Sequence, residues 1–104
     1  MLDNNMIDSF SNMNTILASP SRIKILTYLL NSPQSVEALS KLTELSMANV
    51  SKHLQSLLKD GVVKNTRDRN YIIYEIADDD TRLWLDNHFP RSQLGFLQHN
   101  VSLL

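Results

Sequence analysis

The chain has 104 residues, no cysteine and a formal net charge of −1 at pH 7, and 42% of its residues are hydrophobic. This length predicts one small globular domain, and a chain without cysteine forms neither disulfides nor thiolate metal sites. The polar, acidic start and the lack of a long apolar run predict a cytoplasmic protein with no membrane segment.

The beginning of the chain carries apolar side chains at the spacing of an amphipathic helix. The stripe has intervals of four, four, three and four residues and consists of Leu2, Met6, Phe10, Met13 and Leu17. Several asparagines between these positions lower the helix propensity. We therefore expect this helix to need a partner surface.

Two helices are predicted next. Ser19 and Pro20 suit the N-cap and the first position of a helix, which ends before Pro33. Ser35 suits the N-cap of a second, shorter helix, and residues 43–45 leave only a tight turn after it.

The central prediction is a helix over residues 47–60, with Ser46 as its N-cap and Gly61 just beyond its C-terminal end. The expected buried stripe consists of Val50, Leu54, Leu57 and Leu58. The outward face consists of Ala48, Asn49, Lys52, Gln55 and Lys59. This face is small and polar near its start and basic further along, which suits a DNA groove.

A β-hairpin is predicted after this helix. Residues 62–64 and 71–76 are rich in β-branched and aromatic side chains, and the polar segment Thr66–Asn70 would form the tip. Two arginines, Arg67 and Arg69, lie in this tip. A helix, a tight turn, a second helix and an arginine-tipped hairpin together predict a mainly α (α+β) winged helix-turn-helix with a two-stranded wing.

The charges are concentrated on this predicted unit. Between Lys41 and Tyr74 six basic residues oppose three acidic ones, a net charge of +3, whereas the rest of the chain carries −4. Such a distribution is typical of a surface that binds nucleic acid.

A helix near the end of the chain is predicted from the acidic cluster Asp78–Asp80, which suits a helix N-terminus. Pro90 ends or kinks that helix, and apolar residues at helical spacing follow it. The two terminal segments carry more apolar surface than so small a core can cover, so we expect them to pack on a second copy. The expected interface includes Met6, Phe10, Met13, Leu83, Trp84, Leu94, Leu97 and Val101.

The domain prediction is accordingly a single domain over residues 1–104. Its DNA-binding core spans about 17–77, and its dimerisation helices span about 2–17 and 79–103. A two-fold dimer would place two recognition helices about 34 Å apart and would read an inverted repeat.

Three segments in order resemble the ArsR/SmtB family of dimeric winged-helix repressors. They are ILASPSRIKILTYLL, SVEALSKLTELSMANVSKHLQSLLKDGVV and YIIYEIAD, in register from about Ile16 to Asp78. The resemblance implies a homodimer of five or six helices per chain that represses by occupying a promoter and is released by an effector. Residue by residue, it implies DNA contacts from Ser46, Met47, Ala48, Asn49, Ser51 and Lys52, and from Arg67 and Arg69 in the wing. Gln55 joins this set because it lies on the same outward face.

Two departures from the family pattern are informative. The cysteine pair of metal-sensing members is absent where this chain reads Ser35–Ala38, and soft metal ions need thiolates. Glu44 stands where the family commonly has a turn glycine, so a positive φ there would cost on the order of 1 kcal/mol.

Other interpretations remain open at this stage. Asp86, His88 and His99 are candidates for a zinc or nickel site, although Pro90 interrupts the segment that would join them. His53 lies near the predicted buried stripe, where packing is favoured over a base contact. No phosphate-binding loop or catalytic motif is present, so neither an enzyme nor a cofactor is expected. The alternatives are a winged helix that binds a protein instead of DNA and a zinc- or nickel-responsive repressor.

Overall fold

The computed structural model describes residues 15, 16 and 18–89. Four helices and a three-stranded antiparallel sheet form this part of the chain. In chain order they are α1 (Pro20–Asn31), β1 (Gln34–Ser35), α2 (Val36–Thr43), α3 (Met47–Lys59), β2 (Val63–Asp68), β3 (Tyr71–Ile76) and α4 (Asp79–His88). The helix-turn-helix of α2 and α3 and the β2–β3 hairpin confirm the predicted winged helix-turn-helix.

Each of these four helices begins at a side chain that accepts a backbone N–H of the first turn. The caps are Ser19 for α1, Ser35 for α2, Ser46 for α3 and Asp78 for α4. The Asp78 carboxylate accepts the Thr81 N–H over 2.7 Å. Hydrogen bonds from Thr81 hold the pKa of Asp78 below its ordinary value. The acidic cluster therefore caps a helix, as the local charge pattern indicated.

The C-terminal end of α3 turns sharply into the sheet. Gly61 has a φ of 78°, the left-handed conformation that glycine adopts without steric cost. The N–H of Val62 then donates to the carbonyl oxygen of Leu57 over 2.9 Å. This hydrogen bond satisfies a terminal carbonyl of α3 and directs the chain into β2.

The sheet differs from the predicted two-stranded wing. β1 pairs with β3, with Gln34 opposite Tyr74, so the strand order is β1-β3-β2. A strand of two residues is too short to produce an alternating pattern, which is why the sequence did not indicate it. The tip is also shorter than predicted. Asp68 pairs with Tyr71, which leaves only Arg69 and Asn70 in the turn and extends β2 to Asp68.

The core lies between the helices and the inner face of the sheet. It consists of Ile16, Ile23, Ile25, Leu26, Leu29, Leu39, Val50, Leu54, Leu57, Val62, Val63, Tyr74, Ile76, Leu85 and Phe89. Leu58 was predicted to belong to it, but its side chain is 37% exposed. Successive residues are about 100° apart around a helix, so Leu58 lies about 100° from Leu57 and at the edge of the buried stripe.

Glu44 adopts a left-handed conformation in the turn between α2 and α3, with φ of 63° and ψ of 18°. The φ of Glu44 is therefore positive, so the cost considered for a glutamate at the family's common glycine position applies here. A side chain at such a φ is strained because its Cβ approaches the following carbonyl oxygen.

We therefore predict that Glu44→Gly raises the free energy of unfolding by about 0.5–1 kcal/mol. Glycine removes the strain, and its larger loss of conformational entropy on folding offsets part of that gain. Glu37→Gly is the matched control. It makes the same change of charge in the first turn of α2, where glycine should lower stability by about 1 kcal/mol. Urea denaturation of both variants checks the prediction, and two losses of equal size would contradict it.

Several residues of the predicted dimer interface lie outside the described residues, namely Met6, Phe10, Met13, Leu94, Leu97 and Val101. Of the two on α4, Leu83 is 60% exposed and Trp84 is partly buried against the core. No helix within the described ranges is both long and apolar enough to cross a membrane.

Candidate nucleic-acid interface

The two faces of α3 differ completely in exposure. Val50, Leu54 and Leu57 are fully buried in the core. The exposed positions include Met47, Ala48, Asn49, Lys52, Gln55 and Lys59. No aspartate or glutamate occurs between Met47 and Lys59. The exposed side of α3 therefore has no acidic residue, and apart from Met47 and Leu58 its long side chains are polar or basic.

Side chains of α2 hold the turn that sets the position of α3. The Ser40 hydroxyl donates to the carbonyl oxygen of Leu45 over 2.6 Å. The Thr43 hydroxyl oxygen accepts the N–H of Leu45 over 3.3 Å, and the O–H of the same group donates to the carbonyl oxygen of Leu39 over 2.6 Å. Because the N–H and the carbonyl oxygen of Leu45 are both hydrogen-bonded to side chains of α2, the start of α3 is firmly placed relative to α2.

The first turn of α3 presents the residues expected to contact DNA. The Ser46 hydroxyl oxygen accepts the backbone N–H of Asn49 over 3.1 Å. This cap uses the backbone of Asn49 and leaves the side-chain amide out of that hydrogen bond. Ser46, Met47 and Ala48 are exposed with Asn49, whereas Ser51 is half-buried. The site residues predicted for this turn are thus exposed to solvent, apart from the half-buried Ser51 at the border of the buried face.

The wing presents its arginines on different parts of the hairpin. Arg67 lies in β2 opposite Ile72, and both side chains are exposed. Arg69 occupies the turn itself with a φ of 58°, a strained conformation for arginine. At the base of the wing, Lys64 and Glu75 form a cross-strand ion pair of 3.6 Å. The exposed tip is thus basic on either side of Asp68.

Arg22 is a contact of α3 that the sequence patterns did not indicate. Its Nε–H donates to Nδ1 of His53 over 3.3 Å, and an Nη2–H donates to the Ser56 hydroxyl oxygen over 3.1 Å. His53 and Ser56 are three residues apart and lie on one flank of α3. Arg22 is 31 positions from His53 and 34 positions from Ser56 along the chain. Helical spacing carries no signal for such a contact between two helices.

The environment of His53 favours its neutral form. Burial lowers the pKa of His53, and the positive charges of Arg22 and Lys52 lower it further. The hydrogen bond from Arg22 requires an unprotonated Nδ1, which agrees with this direction. His53 therefore packs against α1 as a neutral hydrogen-bond acceptor, in agreement with the interpretation of His53 as a packing residue.

This lowered pKa predicts an acid-dependent loss of stability. Below pH 6.5, the ordinary pKa of the side chain, the unfolded chain takes up a proton at His53 before the folded chain does. The contribution is therefore present above pH 6.5 and decreases as the pH falls towards the lower folded pKa. We expect His53→Gln to remove this component of the pH dependence between pH 7 and 5, measured by urea denaturation. His88→Gln, on exposed α4 surface, should keep it, and identical profiles for the wild type and His53→Gln would contradict the prediction.

Comparisons with known proteins agree with this geometry. The family described as "Bacterial regulatory protein, arsR family" matches residues 19–65, from the cap of α1 into β2. The HTH-type transcriptional regulator Rv0081 of Mycobacterium tuberculosis is 45% identical over 65 residues, which are 62% of this chain and 57% of that protein. Its crystal structure has a TM-score of 0.73 at 30% identity and covers 96% of this chain and 99% of that chain. The chain belongs to the ArsR family.

Two further relatives share this fold. The transcriptional activator HlyU of Vibrio cholerae is 30% identical over 70 residues, which are 67% of this chain and 65% of that protein. Its structure has a TM-score of 0.73 at 26% identity and covers 82% of this chain and 91% of that chain. The homodimeric winged helix-turn-helix DNA-binding domain of Mb0332 from Mycobacterium bovis has a TM-score of 0.72 at 25% identity, and the match covers 88% of this chain and 93% of that chain. The chain matches less than two thirds of the length of these curated sequence relatives.

The metal-site alternative within the ArsR family rests on Asp86, His88 and His99. His99 lies outside the described residues. The His88 ring stacks on Trp84 at 4.0 Å, and its Nδ1–H donates to the Trp84 carbonyl oxygen over 2.8 Å. Asp86 is two residues from His88, about 200° around α4, so the two side chains diverge. In the described part of the chain no three potential ligands converge on a point.

Proposed function

We propose that this ArsR-family chain is a sequence-specific DNA-binding transcriptional regulator, a homodimer that acts in the cytoplasm as a repressor. The observation that supports this most is the outward face of α3. It is exposed, polar and basic, and it has no acidic residue along the whole helix. DNA repels acidic side chains and attracts basic ones.

In this proposal the first turn of α3 reads the base edges in the major groove. The Asn49 amide is suited to a bidentate pair with N6 and N7 of adenine. The hydroxyls of Ser46 and Ser51 and the N-terminal N–H groups of α3 suit phosphates. Lys52 and Gln55 continue along the same face, Lys52 as a phosphate contact, and Met47 and Ala48 would contact apolar base surface. Base contacts then provide the specificity, and phosphate contacts the register.

The wing has a separate role in the proposal. Arg67 and Arg69 would contact phosphates or enter a narrow minor groove beside the site that α3 reads. Arg69 is the first residue of the two-residue hairpin turn, which accounts for its positive φ and places it at the end of the wing.

Dimerisation would place two copies of α3 on successive turns of DNA. The domain core of about residues 17–77 would then be joined by helices over 2–17 and 79–103, as the terminal apolar stripes predict. In this arrangement the second copy would cover Leu83 on α4, whose side chain is 60% exposed. The related domain of Mb0332 is homodimeric. A two-fold dimer fits an inverted repeat with half-sites about 34 Å apart.

The test is selection of bound sites from a random DNA library, followed by affinity measurements at two salt concentrations. We expect an enriched inverted repeat whose affinity falls steeply as salt rises, because each phosphate contact releases counterions. A well-folded dimer that enriches no site would contradict the proposal and favour a protein-binding winged helix. Repression is tested separately with a reporter under the selected site. The related HlyU is named an activator. Increased reporter expression would therefore reject the repressor role and leave the DNA-binding role standing.

A further inference from the structure

The Arg22 guanidinium retains unused hydrogen-bond donors. A guanidinium has five N–H donors, and the hydrogen bonds to His53 and Ser56 occupy two of them. Arg22 is only half-buried. Among the described residues it has no carboxylate within ion-pair distance. A fixed positive charge with three donors therefore remains available beside α3.

The start of α1 adds to this positive potential. Arg22 lies in the first turn of α1, which is capped by Ser19 and contains no acidic residue. The aligned N–H groups at a helix N-terminus carry a partial positive charge. Because the helix end and the guanidinium have the same sign, this corner of the domain favours an anion.

The position of this corner relative to α3 determines which anion it would meet. An α-helix with its side chains is about 10–12 Å across, and the major groove is about 12 Å wide. A helix that reads base edges with its outward face therefore brings its flanks close to the phosphate backbones. Asn49, His53 and Ser56 lie along one such flank, and Arg22 is bonded to the last two. A phosphate at the groove wall would pass beside Arg22.

We propose that Arg22 binds a backbone phosphate of the operator at the edge of the groove that α3 occupies. This inference rests on the proposed DNA-binding function and adds a contact from α1, outside the helix-turn-helix and the wing. The bonds to His53 and Ser56 hold the guanidinium in place before DNA arrives. Little side-chain freedom is then lost on binding.

The test compares Arg22→Gln with Lys24→Gln on the selected operator over a range of salt concentrations. Lys24 is exposed on the same helix, about 200° around from Arg22, and its substitution makes the same change of charge. For Arg22→Gln we expect the slope of log affinity against log salt to become shallower by about 1.8, because each protomer of the proposed dimer loses one phosphate contact worth about 0.9. For Lys24→Gln the slope should stay at the wild-type value. Equal slopes for wild type and Arg22→Gln would overturn the inference.

A purely structural role for Arg22 has a different signature. A lost phosphate contact weakens operator and unrelated DNA by the same factor, so their affinity ratio stays unchanged. Misplacement of α3 would instead reduce the ratio through lost base contacts. A reduced ratio with an unchanged salt slope would therefore overturn the inference in favour of a positioning role. A wild-type protein without salt-dependent DNA affinity would instead reject the proposed function itself.

A second measurement uses the wild-type chain and does not depend on the folding of a variant. Phenylglyoxal modifies accessible arginines, and mass spectrometry reports the modified fraction at each position. We expect saturating operator DNA to protect Arg22 and to leave Arg82, whose Nη1–H donates to the Leu30 carbonyl oxygen over 2.7 Å, at its DNA-free reactivity. Unchanged reactivity of Arg22 in the complex would overturn the inference.

Discussion

Leu54→Ala is expected to lower the free energy of unfolding by about 2–5 kcal/mol, because Leu54 is fully buried in α3 and the lost atoms leave a cavity. Each kcal/mol corresponds to roughly 4–8 °C in the midpoint of a domain of this size. The loss is a large fraction of the about 5–15 kcal/mol that stabilises such a domain. Thermal and urea denaturation measure the change at one fixed protein concentration, since dimerisation would add to the stability.

Leu58→Ala is the matched control for this experiment. It makes the same change four residues later in α3, at a side chain that is 37% exposed. The expected loss in the free energy of unfolding is at most about 1 kcal/mol, because the Leu58 side chain buries less apolar area in the folded protein than Leu54 does. Equal losses at the two positions would mean that Leu58 belongs to the core after all. They would contradict the division of α3 into a buried and an outward face.

Asn49→Ala is expected to have the largest effect on recognition. A bidentate side-chain contact to a base contributes about 1–3 kcal/mol of discrimination, so affinity for the selected operator should fall by about 5- to 150-fold for each of the two half-sites that loses the contact. Affinity for unrelated DNA should change little, since phosphate contacts dominate it. The melting temperature should be unchanged, because Asn49 is exposed and its backbone N–H still reaches the Ser46 cap.

The control for this substitution is Asn31→Ala at the end of α1, an exposed asparagine remote in sequence from α3. It should leave operator affinity at the wild-type value. Lys52→Ala provides a contrast within the interface. As a phosphate contact it should weaken operator and unrelated DNA alike without lowering stability. An Asn49→Ala variant with full operator affinity would remove this residue from the base-reading set.

The recognition surface was predictable because local physics determines it. The period of 3.6 residues separates Val50, Leu54 and Leu57 from the polar face of α3. The serine caps of α1, α2 and α3 lie where sequence placed them, since a cap bonds to a backbone group only three residues away. The positive φ of Glu44, in contrast, was raised only by the resemblance, because the family commonly has a glycine in this turn. The DNA contacts themselves remain predictions for the experiments above.

The chain order of helix, turn, helix and hairpin was thus determined by the sequence alone, because caps, periodicity and turn residues act within a few positions. Only the tertiary structure decided the pairing of β1 with β3 and the contact of Arg22 with His53 and Ser56. These contacts join segments some 31 to 40 residues apart. The exposure of Leu58 was decided in the same way, since the edge of a buried stripe depends on what packs against it. Distant pairings depend on how whole elements pack, and a single sequence carries no periodic signal for that.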